Sequence, residues 1–194
     1  MAALPRCRVD LSSRVRDVGR GNEQGDTLMS VLRTVVLIAA TMATGLAAGV
    51  FGLYSHTIMR GLGATDDRTF VGAFQAVDRA ILNPWFMLSF VGALAFTGLA
   101  AALHLGQNVR AVLPWIVVAL VLYLVAFVLT VAVNVPLNDA IKAAGDPDRI
   151  ADLAAVRRAF DEAKWAGYNL VRTITTTGAF ASLCWALVKS GRVG

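Results

Sequence analysis

Apolar residues along the chain gather into four long runs, roughly Thr34 to Tyr54, Pro84 to Leu105, Ala111 to Val135 and Trp165 to Val188. Each comes close to or exceeds the ~20 residues that a helix needs to cross the hydrocarbon layer. The pattern predicts an all-α, integral membrane four-helix bundle, with residues 31–194 forming a single transmembrane domain. Residues 1–30 are rich in Arg, Gly, Asp and Ser and show no apolar periodicity. They read as a disordered tail, or as an over-long start with Met29 standing directly before Val31-Leu-Arg33. The run that follows is too long for the apolar region of a secretory leader.

Two shorter segments alternate differently. From Thr69 to Leu82, the residues Phe70, Phe74, Val77 and Ile81 recur at i, i+4, i+7 and i+11. That spacing predicts an amphipathic helix, too short and too polar to span, lying at the interface or capping the bundle. Asn83-Pro84 breaks it and suits the first turn of the next helix. A second short helix carries Ile150, Leu153, Val156 and Phe160 on one face, with Arg157, Arg158, Asp161 and Glu162 elsewhere. Gly61 to Asp67 reads as a turn and Gly106 to Arg110 as a tight polar loop.

Composition agrees with a membrane protein. Hydrophobic residues make up 57% of the chain and charged residues only 16%, against about 25% charged in soluble domains. A net charge of +5 raises the question of nucleic acid. Half of the 18 basic residues, however, lie in the first 33 residues, at Arg110, and at Lys189 and Arg192, the two longer connections carry both signs, and there is no interleaved aromatic patch, so no nucleic-acid partner is expected. As flanks of membrane spans they place the N-terminus, the Arg110 loop and the C-terminus on the cytoplasmic side, in a plasma membrane. The two cysteines, Cys7 and Cys184, have no metal spacing. No Glu-x-x-His pattern is present either, so neither a metal nor another cofactor is read from the chain.

The informative positions are polar ones inside or beside apolar runs, where they are costly. His56 ends the first span, Gln75 and Asn83 lead into the second, Asn134 and Asn138 end the third, and Trp165, Asn169 and Arg172 open the fourth. Antiparallel connections bring all of them to one end of the bundle, the extracytoplasmic end by the charge rule. Asn134 and Asn138 share a helical face if the helix continues past Pro136, and Trp165, Asn169 and Arg172 share another. Arg172 lies a turn or two inside its span, where a lone cation costs ~2.5–3.5 kcal/mol unless paired or wet. An anionic ligand, or acceptors such as the Asn carbonyls, would satisfy it. The competing reading is scaffolding: Asn, Gln and Trp bridge helices at about 0.6 kcal/mol each, and Arg172 reaches the head groups. His104 reads as an interfacial residue without a role. Asp78, Arg79, Asp161 and Glu162 read as solvated faces or local ion pairs, and Asp139 and Lys142 as rim residues.

The segments Phe74-Gln-Ala-Val-Asp-Arg-Ala-Ile-Leu-Asn-Pro84, Asn134-Val-Pro-Leu-Asn-Asp139 and Trp165-x-x-x-Asn169-x-x-Arg-Thr173 carry a family likeness. They resemble the hallmark segments of the DUF1772, or anthrone oxygenase-like, family of small integral membrane proteins. The resemblance covers the chain after about Val31. It implies a membrane four-helix protein, and members with assigned roles oxidise anthrones to anthraquinones without a recognised cofactor motif. Asp78 stands where many members carry Asn and takes no role from the resemblance. If the chemistry carries over, His56 is the base that removes a proton from the activated CH₂. Arg172, with Asn134, Asn138 and Asn169, holds the enolate or phenolate oxygen, Trp165 stacks on the flat ring, and Gln75 and Asn83 complete the substrate-binding set. The expected ligand is a small aromatic or quinone-like molecule reached through the lipid bilayer. The alternative function is a non-catalytic accessory or interaction subunit of a membrane complex. Small-residue faces at Gly45/Gly49 and Gly98/Ala102 would then pack a partner or a second copy of the chain. A small transporter has less support, since no inverted repeat or broken mid-membrane helix is present.

Overall fold

A computed structural model describes residues 11–106 and 109–193. Among these, four helical stretches are long and apolar enough to cross a membrane: Glu23–Gly63, Pro84–Leu103, Leu113–Ala143 and Leu153–Arg192. The first is built from α1 (Leu11–Leu53), a π-helical turn (Tyr54–Ile58) and α2 (Met59–Gly63). Next come the amphipathic α3 (Asp67–Ile81) and the second span, α4 (Pro84–Leu103). The third comprises α5 (Leu113–Leu129), a second π-helical turn (Thr130–Asn134) and α6 (Val135–Ala143). The short α7 (Leu153–Phe160) leads into α8 (Glu162–Val193).

Helix α1 begins at Leu11, so residues 11–30 are helical rather than the aperiodic tail expected from sequence. Once a span has nucleated a helix, each added residue gains a backbone bond without a new nucleation cost. The expectation for residues 1–10, Cys7 among them, lies outside the described residues. The third span likewise continues past Pro136. Proline cannot donate to a carbonyl one turn back, and the π-helical turn immediately before it widens the ladder where that bond is missing.

The four spans form a ring in which α1 and α5 each pack against α4 and α8. Their shared core is rich in small residues, including Ala40, Ala47, Ala93, Ala100, Ala119, Ala179 and Ala186, with Leu37, Ile116, Tyr123 and Leu183 between them. Small side chains let helix axes approach closely, which is how dispersion contacts accumulate without a hydrophobic drive between helices. Gly45 belongs to this internal packing: a Cβ there would sit 2.8 Å from the Phe180 ring. It therefore faces its own chain rather than an external partner. Nothing lies within 4 Å of a Cβ at Gly49 or Gly98. Outward positions such as Ile38, Met42, Leu46, Val121, Val128 and Ile174 are exposed, which suits hydrocarbon. Exposed Trp85 at one end, and Trp115 with Trp185 at the other, mark the two interfaces.

One end carries a helical cap. Phe70, Val71 and Phe74 of α3, Ile141 of α6, Phe160 and Trp165 form a second core. Gln75, expected to bind substrate, instead fastens this cap: its Nε2 donates to the Ile141 carbonyl (2.7 Å) and the Gly145 carbonyl (3.0 Å). Asn83, also expected to bind substrate, is the N-cap of α4, accepting from Phe86 N and donating to the Ala80 carbonyl. Asp66 caps α3 in the same way, and the Thr69 hydroxyl and amide hold its carboxyl below the usual range. Arg157 stitches cap to bundle by donating to the Gly63 and Thr65 carbonyls and to Asp67 and Glu162. At the opposite end His104, at the close of α4, is buried, with Nδ1 2.7 Å from the Ala100 carbonyl.

Candidate functional site

Between the cap and the bundle lies a cavity of about 130 Å³. Its walls are mainly apolar and aromatic, supplied by Val50, Phe51, Phe74, Ile81 and Phe86. Tyr54, Asp78, Thr130, Asn138, Lys142, Trp165 and Arg172 add polar groups. Leu82, Val135 and Asp139 line it too and are exposed, so they mark its open side. Both π-helical turns flank it, contributing Tyr54 and Thr130. Such turns shift the register of the residues that follow and recur at functional sites.

Arg172 is only 4% exposed. Its guanidinium donates to Thr130 Oγ1 at 3.1 Å and to Asn169 Oδ1 at 2.7 Å. Its carbon lies 4.5 Å from the centre of the Phe51 ring and 5.4 Å from that of Trp165. Both acceptors are neutral, and Nε has no acceptor. The charge is therefore met by dipoles and aromatic faces, with donor capacity left over, the arrangement that receives an oxyanion.

Asn169 does not line the cavity. It is completely buried and holds Arg172 in place, its Nδ2 donating to the Phe51 carbonyl (3.0 Å) and Ser55 Oγ (2.7 Å). Asn134 is also a scaffold residue: its Nδ2 donates to the Trp165 carbonyl at 3.2 Å, while Oδ1 has no donor. Asn138, one turn on and on the same face, does reach the cavity. Its Oδ1 accepts from Trp165 Nε1 at 2.7 Å and its Nδ2 donates to Asp78 Oδ1 at 2.6 Å. Trp165 lines the cavity, but its ring already packs against Tyr54, Phe74 and Phe160. It is a wall rather than a free stacking face.

His56 is not in this group. It is exposed, with Nδ1 2.6 Å from the hydroxyl of its neighbour Thr57. Within the π-helical turn Tyr54 takes the inward position and His56 points away, which withdraws the histidine from the part expected of it.

One charged residue read from sequence as a solvated face or local ion pair, Asp78, belongs to the cavity. Asp78 is 7% exposed, and its Oδ2 lies 2.8 Å from Lys142 Nζ, which also sits 3.0 Å from Asp139. The signal for Asp78 was available. It stands four residues after Phe74 and three after Gln75, and the buried stripe of α3 is Phe70, Val71, Phe74, Gln75 and Asp78. Val77, placed by the apolar spacing on that stripe, is 37% exposed. Tyr54 was equally legible, three residues after Phe51 on the inward face of α1.

Fold and site together define a four-helix membrane protein with an aromatic, polar-headed cavity beneath a helical cap at one end. Residues 85–182 match the family described as Anthrone oxygenase, and the chain belongs to that family. The matched region contains Asn134, Asn138, Trp165, Asn169 and Arg172, while Tyr54, His56, Gln75 and Asp78 precede it. No curated protein and no solved structure matches the chain.

Proposed function

We propose that the protein binds a flat, lipophilic, phenolic or quinone-type molecule in this cavity and oxidises an anthrone-like ring system with O₂. The observation that carries the reading is Arg172: a buried cation whose hydrogen-bond acceptors are neutral, lining a cavity with mainly apolar and aromatic walls. Loss of a proton from the activated CH₂ gives an electron-rich enolate. That enolate passes an electron to O₂, and recombination with protonation forms a hydroperoxide. Loss of water then leaves the new carbonyl, so that CH₂ and O₂ become C=O and H₂O. Arg172 stabilises the oxygen on which charge develops, held in position by Asn169 and Thr130.

Size sets how the ligand sits. An apolar cavity of about 150 Å³ holds one benzene ring, so a cavity of about 130 Å³ takes the oxygen-bearing ring. The remaining rings lie along Leu82, Phe86 and Val135 toward the open side. The basic flanks of the spans support an orientation with both termini in the cytoplasm and the cavity on the extracytoplasmic side of a plasma membrane. The substrate would then arrive by way of the bilayer.

The test is turnover by purified protein in lipid nanodiscs. With an anthrone substrate, wild type should consume one O₂ per anthraquinone formed, faster than empty nanodiscs. Arg172→Lys should reduce kcat by about 10²–10³. A wild-type rate equal to the protein-free rate would remove the oxidative reading.

A further inference from the structure

The proposed chemistry needs a proton acceptor, and the exposed position of His56 leaves that role vacant. Among the described residues that line the cavity, the carboxylates are Asp78 and Asp139. Asp139 stands at the open side with its side chain 62% exposed. Asp78 is buried at the inner face of the cap. A base in contact with water is levelled by solvent, whereas one enclosed with its substrate is positioned for direct transfer.

The hydrogen bonds of Asp78 leave room for a proton. Oδ1 accepts from Asn138 Nδ2 at 2.6 Å. Oδ2 lies 2.8 Å from Lys142 Nζ, its ion-pair partner, and meets no other donor. Asn138 passes from Asp78 to Trp165 Nε1, and the Trp165 ring in turn lies 5.4 Å from the Arg172 guanidinium. Carboxylate and guanidinium thus stand on two sides of one aromatic-walled space, joined by a fixed bracket.

We infer that Asp78 is the proton acceptor of this site, resting on the reading of the cavity as a place for an acidic ring CH₂ beside a carbonyl or phenol. Oδ2 takes the proton from the CH₂ carbon, and the C–H bonding pair moves into the ring system to form the enolate, whose oxygen Arg172 holds. Asp78 becomes neutral, and its proton exchanges with water at the open side of the cavity, while Lys142, 24% exposed, stays protonated and pairs with the carboxylate when it ionises again. Removing the proton and consuming O₂ are separate steps, so they can be measured separately.

The experiment is anaerobic exchange of the CH₂ protons of an anthrone with D₂O, followed by NMR in nanodiscs containing the full chain. Wild type should accelerate exchange over empty nanodiscs. Asp78→Asn should lower that acceleration by about 10²-fold or more, while tryptophan-fluorescence titration with an anthraquinone shows unchanged binding. Asp78→Glu, which keeps the carboxylate, should restore part of the rate, and it also serves if the Asn variant misfolds. Exchange by Asp78→Asn at the wild-type rate would overturn the assignment, as would wild type that binds anthraquinone yet exchanges no faster than lipid alone. Wild type that exchanges without oxidising the anthrone once O₂ is admitted would sink the oxidative reading and leave Asp78 standing.

Discussion

Asn138 shows how single residues in this protein acquire meaning. Alone it is a polar side chain near a helix end; in place it joins the indole of Trp165 to the carboxylate of Asp78. Its replacement by Ala should leave Trp165 Nε1 and Asp78 Oδ1 without their partner and cost about 1–3 kcal/mol, read as a lower melting temperature together with weaker ligand binding. His56→Ala, by contrast, should change neither melting temperature nor anthrone turnover, because the ring is exposed and bonded only to Thr57. A large drop in turnover at unchanged stability would return His56 to the chemistry. Asn134, Asn138, Asn169 and Arg172 were legible in sequence because polar side chains in apolar runs are costly and need a reason. Their division of labour was not. Whether an Asn holds a ligand or holds another residue depends on which carbonyl it meets across the bundle, and no local spacing encodes the Phe51 carbonyl that receives Asn169.

At the scale of elements, the cap decides whether the cavity exists. Helix α3 was predicted within two residues of its observed bounds, since its apolar spacing and the Asn83-Pro84 stop are both strong local signals. Its rotation was misjudged, because Val77 and Asp78 are adjacent and only packing on Phe160 and Trp165 chooses between them. Gln75 is the pin that fixes this rotation. Gln75→Leu would strip the Ile141 and Gly145 carbonyls of their side-chain donor, costing about 1–3 kcal/mol. Limited proteolysis should then cut faster between residues 144 and 152; an unchanged digestion rate would mean that the apolar contacts hold the cap unaided. Inside the bundle, Gly45→Ala should force the Phe180 ring aside and destabilise by about 1–3 kcal/mol. A neutral melting temperature there would show that the ring can move freely.

For the whole molecule, the apolar runs and their basic flanks made the four-span architecture readable, because the bilayer imposes span length and leaves little choice of backbone. The extension of α1 back to Leu11 was not readable: residues 11–30 carry no apolar periodicity to signal a helix. Orientation belongs to this scale too. Cysteines introduced at Gly145 and at Gly191 should label with a membrane-impermeant maleimide from opposite sides in intact cells, Gly145 from outside. Labelling of Gly191 alone from outside would invert the topology and put the cavity on the cytoplasmic side.

The proposed function depends on the cavity receiving an oxygen-bearing aromatic ring at Arg172. Its most direct test is titration of nanodisc-embedded protein with a hydroxylated anthraquinone, comparing wild type with Arg172→Lys. Saturable binding, weakened tenfold or more by the loss of the planar donor fork (about 1.4 kcal/mol), is the predicted result. Equal affinity in the two proteins, or no saturable binding to wild type beyond partition into lipid, would contradict it.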